Sequence, residues 1–445
     1  GSIATYIPGV EMPLAQAVIG PAGGTLKGPA GSLLDGVTVS FPPGAVSAPT
    51  TFTLGYNNGG TFTNLAAEVL VNLVLVLNSS GQHEFTAPLT ITYPYTDPVK
   101  IPVAFHLRED GSFNLMRPLP VDRVAGRAGF LTWHASNFLL ANVLPASPAP
   151  VTTDFAPPTD GFEFSNTTAD EYAPVGRCVG MSSFAKWYYE TYGSGLFGRF
   201  SAVIPKDAAG KSLSGEEVLA TRAHTSVIVN GGFVPPLSNR QALVEIMAGI
   251  RISGQTQVIG ISNTDGSDLH ALLAIGYSDN QIAVYDSNHP GEWKAIDYRL
   301  QPEMDDAWVG YGDKHSVNIF GELPRAESFP AMLRDAEADF HDQSQTKIEI
   351  TSHQKGDTVS EAQITLRGKI HSGQVLIAEA TVWVEYKAGG ESERQTIMVS
   401  EENKDFSVVL KMLDGENRIR FTTRGRTVNA GGQLMEIRND LEKDE

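Results

Sequence analysis

The stretch LHALLAIGYSDNQIAVYDSNHPG, residues 269–291, holds two apolar runs separated by Ser278-Asp279-Asn280-Gln281. Runs of this length around a turn rich in Asp and Asn are the two strands of a hairpin. His270 opens the first strand and Asp286 closes the second, so two titratable groups stand at the ends of elements built to be buried. A lone histidine in such a place is ordinarily a satisfied core group. A regular hairpin with loop 278–281 would set His270 opposite His289 and turn Asp286 to the other face, because side chains alternate along a strand. A bulge, for which Gly276 is the natural position, or a wider strand separation would restore the pairing; Asn288 and His289 are the fallback partners of His270.

Working outward, the helical period precedes these strands. CVGMSSFAKWYYETYG, 178–193, puts Met181, Phe184 and Tyr188 on one face and ends at Gly193. SNRQALVEIMAGI, 238–250, opens with a Ser238-x-x-Gln241 capping box and places Leu243, Ile246, Met247 and Ile250 on a stripe. Strands are expected at 257–262, 270–277 and 282–286. Helices first and strands later predict an α+β domain at 160–322.

Cys178 is the single cysteine of the chain, which excludes an intrachain disulfide and a cysteine zinc cluster. It stands where the loop EYAPVGR gives way to a helix. There the unpaired N–H groups and the positive end of the dipole favour thiolate over thiol and can also hold an oxyanion. Free cysteine is equally at home as small apolar filler. A Cys, a His and a carboxylate in that chain order, each at the end of an apolar element, are what a thiolate–imidazolium pair with an orienting third group requires.

On either side of this region the period is two. Val37, Val39 and Phe41, then Leu89, Ile91 and Tyr93, alternate between Gly and Pro punctuation and predict a β-sandwich over 1–148. LPASPAPVTTDFAPPTDG, 144–161, reads as an extended linker. The acidic run 322–342 is a connector with one or two helical turns. From 345 to 428 alternation returns and predicts a second, smaller β-sandwich, followed by a solvated acidic tail.

The chain has 445 residues, enough for several cores, and carries 33 basic against 51 acidic groups for a net charge of −18. The stretch 146–345 alone holds 13 basic and 26 acidic side chains. That balance argues against a nucleic-acid partner or an anionic membrane surface. The longest apolar run, VLVNLVLVL at 69–77, has the length of a strand and not of a membrane span. Gly1-Ser2 reads as a cloning scar, consistent with a trimmed leader. GSGLFG at 193–198 ends a helix and reads as a turn, not a nucleotide loop. His224, His289 and His315 are too scattered for a zinc site, and Trp187, Trp293 and Trp308 are expected in cores.

Three resemblances add to this reading. HALLAIGYSDNQIAVYD aligns without a gap to the pattern of papain-like cysteine peptidases, in which the catalytic His opens the strand and an Asn stands 16 residues on. Here that position is Asp286, as in bacterial bacteriocin-processing peptidases, and VYDSNHPG looks like their Asp-Pro-Asn turn. GRCVGMSSFAKWYY resembles the nucleophile helix of that superfamily, although no Gln lies between Gln82 and Cys178 to donate to an oxyanion. GGTLKGPAGSLLDGVTVSFPPGAV, FTAPLTITYPY, DGSFNL and HASNFLL resemble the β-domain of zonula occludens proteins and netrin receptors, with His134-Ala135-Ser136 where self-cleaving members carry His-Phe-Ser. The last domain resembles bacterial immunoglobulin-like modules, in which a turn such as Gly415-Glu416-Asn417 precedes the final strand.

Together these imply a multidomain bacterial protein, secreted or attached to the envelope: a β-sandwich, a papain-like domain and an immunoglobulin-like sandwich. The resemblance implies a thiol peptidase or amidase with Cys178, His270 and Asp286 as triad, Asn166 as oxyanion donor and Asn288 as an orienting group. It implies a peptide or protein substrate and no metal or organic cofactor. The β-sandwiches would serve as scaffold or as adhesion surfaces for a protein or cell-surface partner. Transglutaminase-like acyl transfer and a catalytically degenerate binding protein stay open as alternatives.

Overall fold

Alternating apolar residues become two facing sheets over the first third of the chain. The computed structural model describes residues 3–145, 149–166, 176–197, 199, 215–231, 236–300, 307–323, 328–338, 347–354, 356–371, 379–386, 392–398, 405–412, 415–424 and 433–439. A six-stranded antiparallel sheet contains Val10–Ile19, Thr50–Asn58, Val69–Ser79, Asn137–Val143, Ile101–Leu107 and Phe113–Leu115. A five-stranded sheet contains Gly24–Lys27, Thr38–Phe41, Glu84–Pro94, Arg127–His134 and Arg117–Pro118. Val39, Phe41, Leu89, Ile91 and Tyr93 meet Phe52, Leu54, Leu75, Leu77 and Phe138 in one core. The rings of Phe41 and Phe52 lie 4.5 Å apart and those of Phe130 and Phe138 5.2 Å apart.

Helix Asn239–Ser253 is buried along almost its whole length, so it has apolar neighbours on both sides. Ser238 caps it by accepting from the N–H of Gln241 at 3.2 Å, and Gly254 ends it in the left-handed region at φ 69°. The Gln241 side chain does not return to close the capping box. Its amide donates to the carbonyl of Leu119 and to Glu245 instead. One face of the helix packs on Phe105, Leu139 and Val143 of the six-stranded sheet and the other on Ile259, Leu272 and Val284 of a later sheet.

That later sheet has seven antiparallel strands. Six run in the order Trp308–Gly310, Lys294–Arg299, Gln281–Tyr285, His270–Ser278, Gln257–Ser262 and Ser316–Ile319, and Val151–Thr152 joins the His270 strand. The 144–161 stretch is therefore not a linker where it is described. Val151 and Thr152 pair with Tyr277 and Gly276, Pro157–Asp160 forms a helical turn, and Phe155 and Phe162 are buried. Residues 1–165, 185–196 and 227–324 form one compact unit, so the sandwich and this sheet share a core.

The second unit comprises 166–184, 197–226 and 325–445. Within it, helix Gly215–Gly231 packs on the start of the Cys178–Tyr192 helix, and Phe329–Ala338 supplies Phe329 against Phe184 at 5.4 Å between ring centroids. A three-stranded sheet (Lys347–Ile350, Gln363–His371, Asp405–Lys411) and a five-stranded sheet (Thr358–Val359, Gln433–Asn439, Gly415–Arg424, Glu379–Tyr386, Ser392–Met398) follow. Phe406, Val408 and Leu410 alternate inward as their spacing predicts. Gly415–Asn417 lies inside a strand rather than before the last one, and strand Gln433–Asn439 runs beyond the expected boundary at 428. The molecule is thus β-rich and built from several sheets. No helix among the described residues is long and apolar enough to cross a membrane.

Candidate functional site

The pairing of His270 with Asp286 depends on one extra residue. Tyr277 pairs with Ile282 and Gly276 with Ala283, but Ala274 pairs with Val284 and Leu273 with Tyr285. Ile275 is therefore the bulge residue, next to the glycine that the sequence suggested. One inserted residue flips the face of everything beyond it, so His270 and Asp286 come to the same side of the sheet. His270 Nε2 lies 2.7 Å from Asp286 Oδ1.

The bulge is pinned by the segment read from sequence as a linker. The backbone N–H and the hydroxyl of Thr153 both donate to the Ile275 carbonyl, at 2.9 and 2.7 Å. Gly276 permits this approach: a Cβ there would stand 2.9 Å from the Val151 carbonyl oxygen and 3.0 Å from Thr152 Cα. The sequence reading anticipated the bulge but not its clamp.

Asp286 is held from three sides. Besides His270, its Oδ1 accepts the Asn288 N–H at 2.8 Å, and the Tyr311 hydroxyl donates to Oδ2. Burial pushes the Asp286 carboxyl up, but the hydrogen bond and charge of His270 together with Tyr311 and Asn288 leave its pKa below the usual carboxylate value. Burial and the neighbouring carboxylate raise Tyr311, so its hydroxyl keeps its proton and donates. His289, half exposed, places Nε2 4.0 Å from Oδ2. The carboxylate engages Nε2 and so sets the orientation of the imidazole ring. Tyr311 was missed from sequence because it follows a three-residue strand with no periodic signal.

Cys178 belongs to the other compact unit. It is buried and is the first residue of its helix. Gly180 lets that helix approach Gly215–Gly231, since a Cβ there would fall 2.2 Å from the Ala220 carbonyl oxygen and 2.3 Å from the His224 nitrogen. Arg177 is fully buried and donates from Nε to the Thr221 hydroxyl at 2.7 Å. The Asn166 amide oxygen accepts the Arg177 N–H at 2.6 Å, so Asn166 braces the turn into the helix. Burial holds His224 in its neutral form, with a pKa lowered to about 4.

The structure thus brings His270, Asp286 and Asn288 together in one unit and Asn166 and Cys178 together in the other. Two tryptophan expectations are corrected: Trp293 is 61% and Trp308 47% exposed, too much for core residues. Trp308 instead lies under the Arg299 guanidinium at 5.3 Å.

No family model matches the chain, and no curated protein matches it. A matching solved structure is the crystal structure of an engineered protein, 15% identical over 27% of this chain and 29% of that one, with a TM-score of 0.18. The chain spans less than a third of that structure's length, and a superposition of that quality carries no fold assignment.

Proposed function

We propose that the protein is a cysteine hydrolase, a peptidase or amidase of papain-like type, in which Cys178 is the nucleophile, His270 the acid–base and Asp286 the orienting carboxylate. The observation that supports this reading is the 2.7 Å bond between His270 Nε2 and Asp286 Oδ1, made across a bulge that its own clamp maintains. A satisfied core histidine needs one partner. Here the partner is a carboxylate with two further donors, the arrangement that holds an imidazolium against a deprotonated nucleophile.

In this reading the thiol proton passes to His270 Nδ1 and Sγ attacks the acyl carbon of a peptide or protein substrate. The C–N bond breaks as the amine departs with the proton from His270, leaving a thioester. Water, deprotonated by the same imidazole, then attacks that carbon and frees the acid and the thiol. The Cys178 N–H at the helix start is the proposed oxyanion donor. Residence outside the cytoplasm and a bacterial source belong to the same proposal, with the sandwiches as scaffold. The absence of a Gln between Gln82 and Cys178 favours, as the second reading, a binding protein on a catalytically silent version of the fold.

Alkylation by iodoacetamide separates the two, because the single cysteine makes every adduct a report on Cys178. Rapid labelling at pH 6 is expected, slowed at least about tenfold in His270→Ala and unchanged in His224→Ala, because the thiol loses the base that takes its proton. Superimposable pH–rate curves for wild type and His270→Ala, both at the rate of an ordinary thiol, exclude the hydrolase.

A further inference from the structure

The proposed hydrolysis makes no use of a second cluster, built from three different sheets of the first unit. His106 lies in the strand Ile101–Leu107 and His134 closes Arg127–His134, while Glu322 follows the strand Ser316–Ile319. The two imidazole rings are 4.2 Å apart between centroids. His134 Nε2 is 2.7 Å from Glu322 Oε1, and His106 Nδ1 is 3.6 Å from the same oxygen, too far for a hydrogen bond. His106 Nδ1 and Glu322 Oε2 are both buried with no hydrogen-bond partner. A buried polar atom left unsatisfied is costly, so the arrangement calls for something to satisfy them.

A cation of the right size does so. One ligand atom from each side chain lies within 4.8 Å of the other two, and among the described residues this is the grouping of histidine and acidic side chains that meets that spacing. We propose that His106, His134 and Glu322 hold a divalent transition-metal ion of the zinc class, with water completing the coordination. Two imidazole nitrogens with one carboxylate suit zinc, cobalt or nickel and disfavour calcium and magnesium, which take oxygen ligands. Bonds of about 2.0–2.2 Å set neighbouring ligand atoms roughly 3.3 Å apart in a tetrahedron. The His106–Glu322 separation is already close to that, and the His134–Glu322 contact needs to open by about half an ångström.

The surroundings fit. The Asn114 amide donates to Glu322 Oε1 at 3.3 Å and orients the carboxylate. Burial lowers the basicity of His106, which keeps a neutral ring with a lone pair to give. Burial also opposes charge on His134, but Glu322 outweighs it and raises that pKa. Imidazole binds a metal through an unprotonated nitrogen, so binding releases whatever proton that nitrogen carries. The three side chains retain 11–20% exposure. An ion there would tie both sheets of the sandwich to the segment after Ser316–Ile319 and so act as a structural cross-link.

The test is calorimetric titration of the chelator-treated full-length chain with zinc chloride at pH 7.5 in buffers of different ionisation heat, alongside thermal melting. One equivalent of zinc is expected to bind, with proton release and a raised melting temperature. Glu322→Gln and His106→Gln should each weaken binding at least about tenfold, since changes to outer-sphere partners alone cost about 10–100-fold. His83→Gln, an exposed histidine elsewhere, should bind as wild type. If a variant fails to fold, the visible spectrum of cobalt(II) in the wild-type chain and in His134→Gln provides a second reading: an imidazole-ligated band should appear in the first and vanish in the second. Absence of saturable binding by wild type, or equal binding by the folded variants, overturns the site.

Discussion

Asp286 illustrates how much of a side chain's chemistry its neighbours decide. Its carboxylate is kept charged by His270, Tyr311 and Asn288 against the effect of burial. A carboxyl whose folded pKa is depressed contributes stability above its unfolded value of 3.8 and loses that contribution as pH falls. Tyr311→Phe removes one of the causes of the depression. The acid limb of both the stability and alkylation profiles should then move to higher pH, with a stability loss of about 1–2 kcal/mol at neutral pH. An acid limb that does not move would show that the Tyr311 hydroxyl does not act on Asp286. Glu245 gives the opposite sign. Burial raises its pKa from 4.5 to about 8, against the hydrogen bond from Gln241 that lowers it. The folded state therefore holds a proton that the unfolded state has released, and stability falls as pH rises from 4.5 to 8. Glu245→Gln keeps an acceptor for the Gln241 amide without a group that must stay protonated. It should stabilise the protein by about 2–4 kcal/mol at pH 7.5 and have little effect near pH 4.5, as read by denaturant unfolding at the two pH values.

At the scale of elements, the bulge at Ile275 and the strap Val151–Thr153 act as one device. The strand pair alone has no reason to insert a residue at that position. Two donors from Thr153 on the Ile275 carbonyl make the inserted residue the satisfied arrangement. Gly276→Ala puts a methyl group 2.9 Å from the Val151 carbonyl oxygen, so the strap or the strand must move. A stability loss of about 1–3 kcal/mol is expected, together with slower Cys178 alkylation at pH 6 if the His270–Asp286 pairing loosens with it. Wild-type stability and labelling in Gly276→Ala would show that the close approach is not needed. Replacing Thr153 with Val removes the hydroxyl and keeps the backbone donor, so it should produce a smaller loss of the same kind.

Across the molecule, the first unit is joined by burial and not by a tether. Phe105, Leu139 and Val143 cover one face of the Asn239–Ser253 helix, and Arg117, fully buried, donates to the Phe320 carbonyl at 2.8 Å beneath the Trp133 ring. A fragment ending at residue 145 would expose that apolar face and leave a buried guanidinium without its carbonyl. It should bind a hydrophobic dye and melt well below the full chain or aggregate, and proteolytic cutting within 149–161 should leave the pieces associated under native conditions. An independently stable, cooperatively melting 1–145 fragment would restore the view of the sandwich as a separate domain.

Period-two alternation at Val37, Val39, Phe41 and at Phe406, Val408, Leu410, and the capped stripe at 238–250, settle strands and helix by themselves, because each records which side of an element must leave water. The turn Asp279–Asn280 and the glycine beside the bulge were legible for the same local reason. What could not be read locally was everything decided by a partner distant in sequence. The Pro-rich 144–161 stretch looks like a spacer until the His270 strand offers it a carbonyl. Tyr311 carries no signal until Asp286 is beside it, and His106, His134 and Glu322 are three ordinary residues until three sheets converge. Local sequence determined the elements and the polar groups that stand at their ends. Tertiary structure decided which of those groups meet, because burial makes each unsatisfied polar atom costly and only the assembled layers determine which partner satisfies it.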